Sequence, residues 1–86
     1  MMGDYYLKVQ VKLFGVFRDY EIQGNPGPSF IMELEEGTRI MNVLDRLGIS
    51  RQVPKTLVCN HRAGKMDQTL KEGDILAIFP PVEGGG

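Results

Sequence analysis

The chain is poor in the residues that most often announce chemistry. One cysteine, Cys59, leaves no disulfide framework, no Cys-rich zinc site and no iron–sulfur cluster. The single histidine, His61, has no Cys or carboxylate partner in a ligand-like spacing, so neither a metal site nor a catalytic role is assigned to it. Charge of one sign is missing as well: ten basic against eleven acidic side chains give a net −1. That balance offers no basic stripe for nucleic acid and no polybasic segment for an anionic membrane. No apolar run approaches the ~18 residues of a membrane span. The N-terminus carries Asp4 and lacks the charged-then-apolar order of a secretion signal. The expectation is a cytoplasmic protein, and one cysteine fits a reducing compartment.

What the chain does have is enough apolar content, 42% over 86 residues, for one modest core and one domain. Tyr5 to Phe14 alternates, with Leu7, Val9, Val11 and Leu13 on one face and Lys8, Gln10 and Lys12 on the other. This is a half-buried strand, and Phe14 falls on its polar face. Residues 15–29 hold Gly24, Asn25, Pro26, Gly27 and Pro28 and read as a long loop. Phe30 to Glu35 alternates again, which suggests a hairpin. Thr38 offers a helix N-cap, Ile40, Met41, Val43, Leu44 and Leu47 follow at helical spacing, and Gly48 sits where a left-handed cap belongs. The Met41 and leucine stripe reads as core rather than as a partner groove. Thr56 to Asn60 is a short strand, His61 and Arg62 form the turn after it, and Asp67 to Leu70 can pair briefly. Glu72-Gly73-Asp74 is a turn before the last strand, Ile75 to Phe79.

One helix must bury its stripe against one sheet face. Because the helix crosses over between the early hairpin and the later strands, the first and last strands are expected as parallel neighbours at the sheet's centre. The predicted fold is α+β, a β-grasp or ubiquitin-like mixed sheet of four to five strands with one main helix. Residues 1–81 make the domain and residues 82–86 a flexible tail.

That tail is the most informative stretch. Proline has no N–H for a sheet ladder and fixes φ near about −65°, so Pro80-Pro81 ends strand pairing and aims the remainder outward as a stiff stalk. Beyond it, Glu83 to Gly86 can reach at most ~13 Å at about 3.3 Å per residue. Glycine lets a backbone enter a narrow channel. Bare glycines alone would also fit a frayed end. The context of a strand, two prolines and Val82 points instead to a carboxylate presented to another protein's active site.

Three segments resemble one family, the ubiquitin-like sulfur carriers, whose prototypes are the small subunit of molybdopterin synthase (MoaD) and the thiamine-biosynthesis carrier ThiS. Leu13-Phe14-Gly15-Val16-Phe17-Arg18 is similar to the first-strand exit of the molybdopterin carriers. Leu70-Lys71-Glu72-Gly73-Asp74 resembles the Leu-x-x-Gly-Asp turn of both branches, and Ile78 to Gly85 resembles their terminal Phe-Pro-Pro-Val-x-Gly-Gly. The long first loop and Arg18 favour the molybdopterin branch. In register with the family the diglycine is Gly84-Gly85, so Gly86 is extra: either the tip is one residue longer, or Gly86 is removed before activation.

The resemblance implies a covalent carrier rather than an enzyme, with no catalytic residue and no bound cofactor of its own. An E1-like adenylating partner would spend ATP to turn the terminal carboxylate, borne by Gly84, Gly85 or Gly86, into an acyl-adenylate. A persulfide donor would then leave a thiocarboxylate. The sulfur acceptor would be a MoaE-like large subunit of molybdopterin synthase, or a thiazole-synthase-like protein in the thiamine branch. Conjugation to lysines, as by a ubiquitin-like modifier, is the alternative use of the same tail. The resemblance places docking at Phe14, Arg18, Phe79, Pro80, Pro81 and Val82. Local alternation independently puts Phe14 on the bare face and adds Ile75, which shares a face of the last strand with Ala77 and Phe79. Cys59 reads as a small buried hydrophobe rather than a sulfur-handling nucleophile.

Overall fold

The computed structural model describes residues 5–20 and 27–81. Its strands are β1 (Tyr6–Leu13), β2 (Ser29–Glu35), β3 (Thr56–Cys59), β4 (Arg62–Ala63) and β5 (Ile75–Phe79), with one α-helix, α1 (Ile40–Leu47), and a 3₁₀ turn at Gly15–Asp19. The five strands form a single mixed sheet in the order β2-β1-β5-β3-β4. β1 and β5 run parallel, with Val11 beside Leu76 and Leu13 beside Ile78. The expected parallel pair therefore lies at the centre, and the β-grasp arrangement is the observed one.

The core follows from the alternation. Leu7, Val9, Val11, Leu13, Leu34, Leu57, Leu76 and Ile78 of the strands meet Ile40, Val43, Leu44 and Leu47 of α1 in one buried cluster. Each such aliphatic side chain taken from water contributes about 1.5–3 kcal/mol before ordering costs. Among the described residues the last in chain order to join this cluster is Ile78.

Helix α1 ends as its sequence suggests: Gly48 has φ 78°, and the N–H of Ile49 donates to the carbonyl of Leu44 at 2.9 Å. Its start differs from expectation. The cap position is Arg39, whose N–H donates to Asn42 Oδ1 at 3.0 Å, while the Thr38 hydroxyl donates backwards to the Glu35 carbonyl at 2.6 Å. A hydroxyl cap is not needed because a loop supplies acceptors. Ile40 N–H donates to Gln68 O at 3.0 Å and Met41 N–H to Met66 O at 2.9 Å. The segment anticipated as a brief strand, Asp67 to Leu70, spends its backbone mainly on this helix end and forms one bridge, Thr69 to Arg39.

Two further corrections concern loops. Arg62 belongs to β4 rather than to a turn; the turn itself is Asn60-His61, with φ of 54° and 69°, the two positive values a tight two-residue hairpin requires. Asp74 holds this turn to the next one. Its carboxylate accepts from Asn60 Nδ2 and from the Lys71 N–H, both at 2.8 Å. Residues 15–29, read as a plain loop, contain the 3₁₀ turn, which carries a fully buried Phe17 packed against Tyr20 at 5.5 Å.

Candidate functional site

α1 covers one face of the sheet and leaves the other bare. Across that bare face, Lys12, Ala77, Val58 and Ala63 stand side by side on β1, β5, β3 and β4. Toward the C-terminal end of β5 the surface becomes aromatic. Phe14 and Phe79 stack with ring centroids 4.3 Å apart and planes within 7°. Phe14 remains 36% exposed, and Phe79 is half-buried. The contact is held by backbone: Phe14 N–H donates to the Ile78 carbonyl at 3.0 Å, which extends the β1–β5 ladder past Leu13. Offset or stacked aromatic pairs contribute about 0.5–1.5 kcal/mol beyond burial, so the two rings hold one another in place.

Ile75 is half-buried on the same face of β5, four residues before Phe79 and therefore ~13 Å away along the strand. Ala77 lies between them and is 9% exposed. The anticipated patch of Phe14, Ile75 and Phe79 is thus one strip with a small residue at its middle. Arg18, on the last turn of the 3₁₀ segment, joins Lys12, Leu13, Phe14, Pro28 and Ser29 around a concavity of ≈ 360 Å³ beside the aromatic pair. Two cations, Lys12 and Arg18, therefore flank an apolar hollow.

β5 ends at Phe79, immediately before the prolines. Pro80 is half-buried and Pro81 exposed. Val82, Gly84, Gly85 and Gly86, assigned above to docking and activation, lie outside the described residues. The sequence reading missed one residue here: Gly15. It has φ +59°, and a Cβ built on it would fall 2.3 Å from Pro80 Cγ. Its signal was the glycine immediately after a strand-end aromatic, which periodicity alone does not interpret.

Cys59 is buried, 3% exposed, on the core side of β3. Burial, and then the nearby Asp74 carboxylate, push its thiol above the ordinary range, which leaves it a weak nucleophile. Elsewhere, Asp45 accepts from Arg51 Nη2 at 2.6 Å across the end of α1, and this hydrogen bond holds the carboxyl below its ordinary range. Among the described residues no group of three or more His, Cys, Asp or Glu could hold a metal ion. None of the described helices is long and apolar enough to cross a membrane.

The ThiS family profile matches residues 11–85. The chain belongs to the ThiS family. Among solved structures, a Pyrococcus furiosus protein provisionally assigned as molybdopterin converting factor subunit 1 is 27% identical, with a TM-score of 0.69 over 88% of this chain and 99% of that one. Small archaeal modifier protein 1 of Haloferax volcanii, at 22% identity, has a TM-score of 0.68 over 91% of this chain and 99% of its own. Subunit 1 in the Helicobacter pylori complex of molybdopterin-converting factor subunits 1 and 2 shares 19% identity, with a TM-score of 0.59, 92% of this chain and all of that one being covered. The last two likenesses establish the fold. Among curated proteins nothing matches.

Proposed function

We propose that this ThiS-family chain is a sulfur carrier of molybdopterin synthesis, presenting its terminal glycine carboxylate to partner enzymes. The observation that carries the reading is the Phe14–Phe79 stack on the bare sheet face, at the point where β5 runs into Pro80-Pro81-Val82-Glu83-Gly84-Gly85-Gly86. In this reading the docking surface lies where the chain turns into the tail that bears the carboxylate. The 27% identity to a protein provisionally assigned as a molybdopterin converting factor subunit supports that branch over the thiamine one.

The chemistry follows from the weakness of a carboxylate as an acyl donor. A carboxylate oxygen attacks the α-phosphorus of ATP on an E1-like partner, and pyrophosphate leaves. The terminal sulfur of a persulfide then attacks the acyl carbon and AMP leaves, giving an acyl disulfide. A second thiol cleaves its S–S bond and frees the thiocarboxylate. The carrier contributes no acid, base or nucleophile beyond that carboxylate. Its body contributes binding: the aromatic strip desolvates against the partner, and Lys12 with Arg18 favours an acidic partner surface beside the apolar hollow. The same strip would serve the activating enzyme and a MoaE-like acceptor in turn, in the cytoplasm.

Intact mass measurement of the protein isolated from its native cell tests the reading. Replacement of one terminal oxygen by sulfur is expected. An isopeptide adduct on lysines of other proteins, without that replacement, would make the chain a modifier instead, and an unmodified carboxylate under all growth conditions would overturn the proposal.

A further inference from the structure

We propose that Gly15 is a positioning residue for the tail: the space left by its absent side chain seats the Pro80 ring, and that seat fixes the direction in which the chain leaves β5. The inference rests on the reading that the tail bears the reacting carboxylate. Five glycines of the described residues have positive φ: Gly15, Gly27, Gly37, Gly48 and Gly73. For Gly27, Gly37, Gly48 and Gly73 an added Cβ would meet nothing within 4 Å, so backbone conformation alone explains the glycine. Gly15 differs. A Cβ there would lie 2.3 Å from Pro80 Cγ, 2.9 Å from Cδ and 3.7 Å from Cβ. Those atoms belong to a closed ring, which cannot swing aside like the end of a long side chain. Relief requires the backbone at Pro80 or at Gly15 to move, and either changes how the ring is seated.

The neighbours make this a grip rather than a chance contact. Phe14 N–H binds the Ile78 carbonyl at 3.0 Å, the Phe14 ring stacks on Phe79 at 4.3 Å, and Gly15 accepts the Pro80 ring. Two consecutive residues thus hold three consecutive residues at the end of β5. The lever beyond them is long. The six residues beyond Pro80 span up to ~20 Å when a partner's channel draws them out, so a change of about 10° at Pro80 displaces the terminus by roughly 3.5 Å. Reacting atoms must approach within about 3–3.5 Å, and misplacement by ~1 Å can cost on the order of 100-fold.

The test uses the full chain with its adenylating partner from the same cell, read by ATP–pyrophosphate exchange, alongside binding measured by calorimetry. Gly15→Val is expected to lower the exchange kcat by about 10–100-fold while the Kd moves less than about threefold. Gly15→Ala, the smallest intrusion, covers the case in which the valine variant does not fold. Pro80→Ala removes Cγ and Cδ but not the left-handed strain of an alanine at φ +59°, so the double variant Gly15→Ala/Pro80→Ala is expected to recover, relative to Pro80→Ala, most of the kcat that Gly15→Ala loses. No rescue in the double variant, an unchanged kcat in Gly15→Ala, or an equal loss in Kd would overturn the positioning role. A partner-free readout separates this from the carboxylate reading. Residual dipolar couplings of Phe79, Val82 and Glu83 are expected to change in Gly15→Ala, and unchanged couplings would refute the seat. A chain ending at Glu83 that still supports exchange would refute the carboxylate reading, and with it the positioning of that carboxylate, while leaving the couplings to judge the contact.

Discussion

Phe14 and Phe17 lie three positions apart, and the structure gives them opposite expected phenotypes. Phe17 is 0% exposed and Phe14 36% exposed. Truncating Phe17 to alanine empties a core site, which costs about 3–5 kcal/mol. An 86-residue domain has a total stability of roughly 4–13 kcal/mol, so Phe17→Ala removes a large part of it. Phe14→Ala forfeits only a ring pair and partial burial, together about 1–2 kcal/mol. In a domain of this size each kcal/mol moves the Tm by about 4–8 °C, so the two variants separate clearly in a melt. Affinity for the adenylating partner or the synthase large subunit is expected to reverse the order. Phe14→Ala weakens it by ~1–3 kcal/mol, as does Phe79→Ala, since a central aromatic anchor is lost. Urea unfolding and calorimetric titration on the same preparations provide both numbers. In folding, the Phe14→Ala/Phe79→Ala cycle is expected to show a coupling of about 0.5–1.5 kcal/mol from the stack. A Phe14→Ala variant as destabilised as Phe17→Ala, with partner affinity unchanged, would refute the docking role of the stack.

Deleting Gly84 to Gly86 is expected to leave the Tm within a degree or two of the full chain, because the core cluster of the described residues is complete by Ile78, and to abolish adenylation by the partner; a truncated chain that is still adenylated would sink the carrier reading. Chains ending at Gly84, Gly85 and Gly86 are expected to rank with Gly85 at least as good as Gly86, since one residue changes reach by about 3.3 Å; thiocarboxylate yield by mass measurement decides, and activity confined to the Gly86 end would mean the third glycine belongs to the tip. Cys59 is expected to react slowly with a thiol reagent until the protein is unfolded. Its folded thiol sits above the ordinary 9.0, so its contribution to stability is complete below that value and is lost as pH rises through the folded value; urea midpoints at rising pH for wild type and Cys59→Ala check the sign, which is wrong if the wild type gains relative to the variant. Gly48→Ala is expected to cost about 1 kcal/mol by thermal melt, because φ 78° puts a Cβ in the left-handed region.

The fold was legible because two periods divide the chain cleanly. Period-two alternation marked Leu7, Val9, Val11 and Leu13, and helical spacing marked Ile40, Met41, Val43, Leu44 and Leu47; all of these are core except Met41, which is half-buried at the edge of the stripe. The parallel centre followed from the order of elements alone. What escaped was structure whose signal is not periodic. Phe17 is buried on a 3₁₀ turn whose short length offers no repeat, so its residues read as loop. Thr38 was the natural cap by residue type, yet tertiary acceptors from Met66 and Gln68 replaced it. β4 has only two residues, and its hairpin turn uses Asn60-His61, a pair without the glycine that usually marks such turns.

The site shows the same division. Alternation put Phe14 on the bare face and grouped Ile75 with Phe79 on one side of the last strand, because a side chain's face is fixed by counting along a strand; the family resemblance supplied the rest. Counting could not say that Phe14 and Phe79 touch, since that depends on how β1 registers against β5, and parallel register has no local signal in either strand. That register has a structural consequence. Leu13 opposite Ile78 brings the Phe14-Gly15 dipeptide beside Phe79-Pro80, so the residues that end the first strand meet those that begin the tail. A slip of one residue would turn Phe14 or Phe79 into the core and separate Gly15 from Pro80. The central strand pair of the fold therefore does two things at once: it closes the core on one side and sets the Phe14–Phe79 stack and the exit of β5 on the other.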